Sequence, residues 1–415
     1  MSDPAFIPFS RPSVTEAEVA AVERVIRSGW WTSGPEVKAF EEEFAAYIGV
    51  PHAVAVNSCT AGLHVAVDAL GLSAGDLAFV PTMTFVATAE VVMYEGAVPV
   101  LLDVDPATAN LDASQLAAVA SALTAENRDA ALAASGVAPG TLRCLRERLD
   151  ARPALAIPVH YAGQACDMDA VASAAAVADL AIVEDSAHGT ESWFAGRKTG
   201  TFGDAAAFSF YATKNLSTGE GGMVTTSSAE LADRMRILTL HGISRDAWKR
   251  YTAEGDWYYE VVAQGYKYNL TDIAAALGRV QLTRLEEMSA RRAVIAARYD
   301  EAFSAIEAVE VPFVDERAVH ARHLYPIRLT GGLDIDRSAF IEELRAKGIG
   351  TSVHFIPLHL HPLYRDRYGY RDGDFPVAEK IFESSISLPI YPDMTDAEVE
   401  RVCDAVRDVC KVHAA

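Results

Sequence analysis

The sequence predicts an α/β protein in two parts: a large domain over residues 1–284, with a mostly parallel mixed sheet between helices, and a smaller C-terminal α+β domain over 285–415. Three observations carry this. The chain has 415 residues, more than one hydrophobic core usually serves, and half of them are hydrophobic, which is enough for sizeable cores. From His52 onward, short β-branched runs alternate with Ala-rich helical stretches, the pattern of βαβ units. After about residue 285 that order gives way to longer helical patterns separated by single strands.

At the N-terminal end, Thr15 and Glu18 form a capping box ahead of Val19, Val22, Val25 and Ile26, which share a helical face, and Gly29 stops this helix. A second helix is expected over 35–48, burying Val37, Phe40 and Phe44. Strands are expected at 53–56, 77–80 and 98–104, with helical stretches at 63–70 and 86–93 between them. The alternation resumes with a strand at 154–159, a helix near 169–178, and strands at 181–183, 205–210 and 223–226. In between, residues 121–152 are Ala-rich and polar, and Gly136, Pro139 and Gly140 break them into helical pieces; they read as an insertion or surface excursion. The C-terminal part carries a long helix through Arg291 and Tyr299, a strand at 324–329, a helix at 337–347, a strand at 351–355 and a final helix after Thr395.

The formal charge of -21 argues against nucleic acid and anionic membrane surfaces as partners, since no basic run offsets it. An anionic ligand would therefore need a local site, and helix N-termini supply neutral donors for one. The five cysteines are scattered and never form a C-x-x-C pattern, so neither a disulfide framework nor a metal site is expected. Met1-Ser2-Asp3-Pro4 lacks a basic region followed by an apolar stretch, and no apolar run reaches membrane length, so a cytoplasmic protein is expected.

The chemistry concentrates between Ile182 and Gly222, in I-V-E-D-S-A-H-G-T-E-S, G-D-A-A-A-F-S-F-Y-A-T-K-N and G-E-G-G. Asp185 follows an apolar strand, at the carboxyl end where open α/β sheets place their ligands. Lys214 stands five residues beyond Ser209 among small and hydroxyl residues, where partial desolvation would lower its pKa toward that of a nucleophile. A single lysine of this kind is more often a solvated loop residue, and a single aspartate more often a cap. A third element changes the odds: N-S-C-T-A-G-L, residues 57–63, joins a strand to a helix, and free amides at Thr60 and Ala61 with the Ser58 and Thr60 hydroxyls would cradle a phosphate.

These motifs, with F-I-P-F-S-R-P, S-G-W-W-T-S-G-P-E-V, P-T-M-T-F-V, I-P-V-H-Y-A-G, G-Y-K-Y-N-L-T-D-I, G-I-G-T-S-V-H-F and S-L-P-I-Y-P, span nearly the whole chain. In them the sequence resembles the DegT/StrS-type nucleotide-sugar aminotransferases. The resemblance implies the type I aminotransferase fold and pyridoxal 5'-phosphate as cofactor, with pyridoxamine phosphate as its aminated form. It implies that Lys214 is the Schiff-base lysine and that Asp185 pairs with the pyridine nitrogen, keeping the ring an electron sink. Phe85 matches the aromatic that stacks on the ring, and His188 a residue near the ring's hydroxyl side. Thr60, Ala61 and Ser209 match the phosphate cradle. Asn269, with Lys267 as its rival, matches the asparagine that reaches the neighbouring subunit's phosphate, so the active site would be complete only in a homodimer.

The resemblance further implies that L-glutamate donates the amino group and that a nucleotide-linked keto sugar accepts it. The forms K-Y-N-L, V-H-F and I-P-V-H-Y-A-G look most like the subgroup that aminates C-4, of which the maker of UDP-4-amino-4-deoxy-L-arabinose is closest in pattern. His354 is a candidate substrate contact there, and Arg245, with Lys249 and Arg250, a candidate diphosphate contact. Phe85 stands where the arabinose subgroup has tryptophan, and Cys59 where the family commonly has Gly or Ala, so a 4-keto-6-deoxyhexose is as plausible an acceptor as a pentose. The competing readings are a C-3 keto sugar or cyclitol aminotransferase, a sugar dehydratase, whose relatives replace the Schiff-base lysine with histidine, and a non-catalytic cofactor-binding sensor.

Overall fold

The computed structural model describes residues 6–244 and 258–415. Two helices lead in: α1 (Glu16–Ser28), capped by the Thr15/Glu18 box and ended by left-handed Gly29, and α2 (Pro35–Ile48), which buries Val37, Phe40 and Phe44. Helix α1 does not bury the expected valine face. Val19 and Ile26 stay exposed, and the buried stripe is Glu18, Ala21 and Val25. Glu18 can go inside because Arg284 and Gln281 of a later helix meet its carboxylate.

The central sheet has seven strands in the order β1-β9-β8-β5-β4-β2-β3. In chain order β1 (His52–Val56), α3 (Cys59–Ala69), β2 (Leu77–Pro81), α4 (Ala87–Tyr94) and β3 (Val98–Leu102) come first. Three helices follow, α5 (Ala113–Thr124), α6 (Arg128–Ala134) and α7 (Pro139–Arg146). Then come β4 (Pro153–Ala156), α8 (Met168–Ala176), β5 (Ala181–Asp185), a short hairpin of β6 (Trp193–Phe194) and β7 (Arg197–Lys198), β8 (Ala205–Ser209), β9 (Gly222–Thr226) and α9 (Ala229–Thr239). Strand β9 pairs antiparallel with both β1 and β8, while every other pairing in this sheet is parallel. The strands are buried almost throughout, as sheets covered by helices on both faces require. Helix α3 is buried from Ala61 to Val67, with His64 in that run hydrogen-bonded to Tyr268 and Glu95, so it lies inside the molecule rather than on it.

The stretch taken as a surface excursion is part of the core. Leu116, Val119, Leu132, Cys144 and Leu145 are buried, the Thr141 hydroxyl donates to Leu101 O on β3 at 2.7 Å, and Gly140 lies against the Phe375 ring. The Ala-rich pieces pack as short helices, α7 against the β3 edge, where an open strand would otherwise be exposed, and α5 against α8.

Helix α10 (Asp272–Phe303) is 32 residues long and passes straight through the expected boundary at 284/285. Its first half, with Ala275, Leu285 and Met288, packs with α2 and the β1, β8 and β9 side of the sheet. Its second half, with Ile295, Tyr299 and Phe303, enters a separate core. That core holds β10 (Val309–Glu310), β12 (Tyr325–Leu329), α11 (Arg337–Ala346), β13 (Ser385–Leu388) and α14 (Asp396–Val412), while β11 (Ala318–Val319) pairs with β6. Ile7 joins this second core through a bridge to Ile349, so the N-terminal end belongs with the C-terminal part. Helices α12 (Pro362–Tyr368) and α13 (Pro376–Ser384) return to the sheet's own core through Tyr364, Tyr368 and Ile381.

The strand expected at 351–355 does not form. Only Ser352 bridges β13, through Ser387, and the chain then turns so that His354 and Phe355 line a cavity. Among the described residues, no helix is long and apolar enough to cross a membrane.

Candidate active site

A cavity of about 520 Å³ lies beside the carboxyl ends of β5 and β8 and the first turn of α3. Asp185, the last residue of β5, and Lys214, in the turn after β8, both line it. The Asp185 carboxylate is held from behind: Thr88 Oγ1 donates to Oδ2 at 2.7 Å and the Ala187 amide to Oδ1 at 3.1 Å. Thr84 and Thr88 share a further hydroxyl contact of 2.7 Å, so a threonine pair at the start of α4 fixes the carboxylate's orientation.

Burial pulls the Lys214 pKa down from 10.5 to about 8, against the opposing charge of Asp185. Burial, with Asp185 beside it, keeps the neighbouring Cys59 thiol protonated, so Cys59 adds no charge to the balance. For Asp185 itself, burial raises the pKa, while Thr88, the Ala187 amide and Lys214 pull it back. An amine and a carboxylate lining one cavity therefore each sense the other, and the amine is easier to deprotonate than a free lysine.

The other sequence candidates divide. Thr60, Phe85, His188, Ser209 and His354 line the same cavity. Phe85 remains 59% exposed there, its ring 6.0 Å from that of Phe355. His188 accepts a hydrogen bond at Nδ1 from the Ala162 amide, so its proton sits on Nε2, and burial next to Lys214 and His354 keeps it neutral. His354 contacts Ser387 Oγ through Nδ1 at 2.9 Å and stacks on Phe9, and burial followed by Lys214 lowers its pKa to about 4.

Ala61 departs from expectation. It is buried away from the cavity, and its amide already donates to the Ser58 hydroxyl at 3.1 Å, the N-cap bond of α3. Capping occupies that donor, whereas Thr60, in the first turn of the helix, and Ser209 line the cavity.

Asn269 does not line the cavity of its own chain. It follows Tyr266 and Tyr268, whose stacked rings are tied to Asp68 and His64 of α3 and to Glu95 at the end of α4. Extended backbone alternates sides, so Lys267 and Asn269 project from the opposite side, and Asn269 Nδ2 meets Ser33 Oγ at 2.8 Å. Arg245, Lys249 and Arg250 lie outside the described residues.

Sequence reasoning missed Thr88 and His323. His323 Nε2 is 3.5 Å from Lys214 Nζ, and behind it stand Asn215 and Glu191. Asn215, the neighbour of Lys214 in the K-N pair, was the one visible clue; His323 comes from a remote segment and carries no local signal.

The residues fit pyridoxal phosphate: a lowered-pKa amine for its aldehyde, a carboxylate for its ring nitrogen, an exposed aromatic for its ring face, and hydroxyls beside a helix N-terminus for its phosphate. Comparison with known proteins agrees. The DegT/DnrJ/EryC1/StrS aminotransferase family model matches residues 12–407. The spore coat polysaccharide biosynthesis protein SpsC of Bacillus subtilis is 44% identical over 408 residues, covering 98% of this chain and 97% of that protein. The solved aminotransferase TlmJ from Streptoalloteichus hindustanus superposes with a TM-score of 0.82 at 33% identity, over 98% of this chain and 99% of that one. A Streptococcus pneumoniae protein assigned to the sugar aminotransferases, solved in its PLP form, gives 0.83 at 31% identity, over 98% and 99%.

Proposed function

Because this chain belongs to the DegT/DnrJ/EryC1/StrS aminotransferase family and is a sugar aminotransferase that works with pyridoxal phosphate, we propose that it moves the amino group of L-glutamate onto a nucleotide-linked keto sugar, at C-4 of a 4-keto-6-deoxyhexose or 4-keto pentose, in the cytoplasm and as a homodimer. The observation that carries the reading is that Lys214 and Asp185 line one cavity and sense each other's charge. Bound there, the cofactor supplies an aldehyde that condenses with amines and a ring that takes up the electron pair released at the donor's α-carbon.

The protein's part follows from its own atoms. Lys214 Nζ anchors the cofactor and, once released, carries the proton between the donor's α-carbon and the cofactor, a task suited to an amine whose pKa lies at about 8. The Asp185 carboxylate, oriented by Thr88, keeps a proton on the ring nitrogen. Phe85 would cover the cofactor ring, His188 would stand near its hydroxyl, and Thr60 and Ser209 would hold the phosphate together with the partner subunit's Asn269. His354, at the cavity, is the residue assigned to the sugar nucleotide, and Arg245 keeps its assignment to the diphosphate from the sequence resemblance alone. Two observations support the shared site: Asn269 is turned away from its own cavity, and Phe85 and Tyr211 remain 59% and 47% exposed at the cavity wall, an apolar surface a second copy would cover.

The test is a screen of nucleotide-linked 4-keto and 3-keto sugars with L-glutamate, the product being located by NMR. An amine at C-4 and ping-pong kinetics are expected; exclusive amination at C-3 overturns the positional assignment. Lys214→Ala run beside it should show no turnover.

A further inference from the structure

The surroundings of Lys214 fix the protonation of His323. Asn215 Nδ2 donates to Glu191 Oε1 at 3.0 Å and to the Ala321 carbonyl at 2.9 Å. A backbone carbonyl only accepts, so the Asn215 amide cannot be turned over without setting two oxygens against each other. Its Oδ1 therefore faces His323 Nδ1, 3.2 Å away, and Nδ1 must carry the proton. Burial, reinforced by the charges of Lys214 and Arg292, keeps the ring from taking a second one. What is left is a bare Nε2 lone pair facing Lys214 Nζ at 3.5 Å.

We infer that His323 is a positioning residue for the catalytic lysine: its unprotonated Nε2 accepts a hydrogen bond from the Lys214 amine whenever that amine is not covalently engaged, with Asn215 and the Ala321 carbonyl setting the tautomer. The inference rests on the reading of Lys214 given above. A lysine side chain released from a covalent link regains its rotamers, and a proton carrier must instead stay within reach of the reacting carbon. One bond to a fixed acceptor keeps it there. The acceptor is itself anchored twice. Asn215 is adjacent to Lys214 in the chain, so lysine and histidine are tied through the same turn. The segment bearing His323 is pinned to the sheet side by Ala321 N to Gly163 O at 2.9 Å and Leu324 N to Ala162 O at 3.1 Å. Glu191, whose pKa burial raises to about 7 against Arg292 and Asn215, accepts from Asn215 in either protonation state.

The first test needs no cofactor. Long-range proton–nitrogen NMR of the histidine-labelled, cofactor-free protein, with His323 assigned by its absence from His323→Gln, should show the proton on Nδ1 and a bare Nε2 at neutral pH. A proton on Nε2, or an imidazolium, overturns the inference. The second test is rapid single-turnover absorbance with L-glutamate on the loaded enzyme. His323→Gln, which can present an amide oxygen near the Nε2 position, should keep the rate within about threefold. His323→Phe should lose about tenfold or more with L-glutamate affinity unchanged, the mark of misplacement rather than lost binding. Lys214→Ala separates the two ideas. If it is dead while His323→Phe runs at the wild-type rate, the positioning role falls and the lysine assignment stands. If Lys214→Ala itself retains the rate, both fall.

Discussion

At the scale of single residues, the site is a place where the protein accepts instability. Lys214 is half-buried at the cavity, and the fall of its pKa from 10.5 to about 8 reflects how strongly the site disfavours its charge. A shift of that size corresponds to about 3 kcal/mol. The sign follows from proton binding: the folded-state pKa lies below the unfolded one, so the unfolded chain holds the proton more tightly. The cost is full below about pH 8 and disappears as pH rises through the ordinary lysine range. Lys214→Met, similar in length and uncharged, should therefore make the cofactor-free protein more stable than wild type at pH 7, by up to that amount. The advantage should vanish near pH 10.5. Denaturant melts of both proteins at the two pH values check this, and a less stable Met variant at pH 7 would contradict it.

Among the elements, the N-terminus of α3 is the one whose position the site depends on, and β9 sets it. A Cβ placed on Gly222 would lie 2.7 Å from Phe208 O, 2.8 Å from Cys59 N and 2.8 Å from the Ser58 carbonyl carbon. These are backbone atoms, so no side-chain rotation relieves the clash. Gly222→Ala should cost about 1–3 kcal/mol of stability, as overpacking does. It should also weaken binding of pyridoxal phosphate, because the strain pushes on the turn that faces the phosphate; titration of the cofactor's absorbance measures this. An Ala variant with wild-type stability and cofactor affinity would show that the helix start is not wedged there. The element pattern itself was largely readable. Alternating runs mark β1, β2, β3, β5, β8 and β9 because strands covered on both faces must be apolar. The segment at 351–355 misled because V-H-F has strand composition, yet the cavity, not a neighbouring strand, takes His354 and Phe355.

At the scale of the whole molecule, the proposal of a shared site makes an experiment available that a monomer would fail. Lys214→Ala keeps a sound Asn269, and Asn269→Ala keeps a sound Lys214, so each homodimer lacks a complete site. Subunits mixed after reversible dissociation should recover roughly a quarter of wild-type activity, since half of the random dimers are mixed and each carries one complete site. No recovery beyond the sum of the two variants would place Asn269 outside the partner's site. The long α10 bears on this scale too. It runs unbroken between two cores, with Leu285 and Met288 in one and Ile295 and Tyr299 in the other. An apolar periodicity carried through the helix hides that change of partner from the sequence.

What the sequence offered alone was a set of candidate groups and the order of the elements: Lys214, Asp185 and the turn at 57–63 stand out because local composition reports which residues lie at strand ends and helix starts, whereas Phe85 was singled out only by the family resemblance. The tertiary structure alone decided which groups meet. It spent the Ala61 amide on a cap, drew the stretch at 121–152 into the core, and brought His323 against Lys214 from 109 positions away. The physical reason is that hydrogen-bond partners are allotted by distance in space, and a donor's competing acceptors cannot be counted until the chain has folded around it.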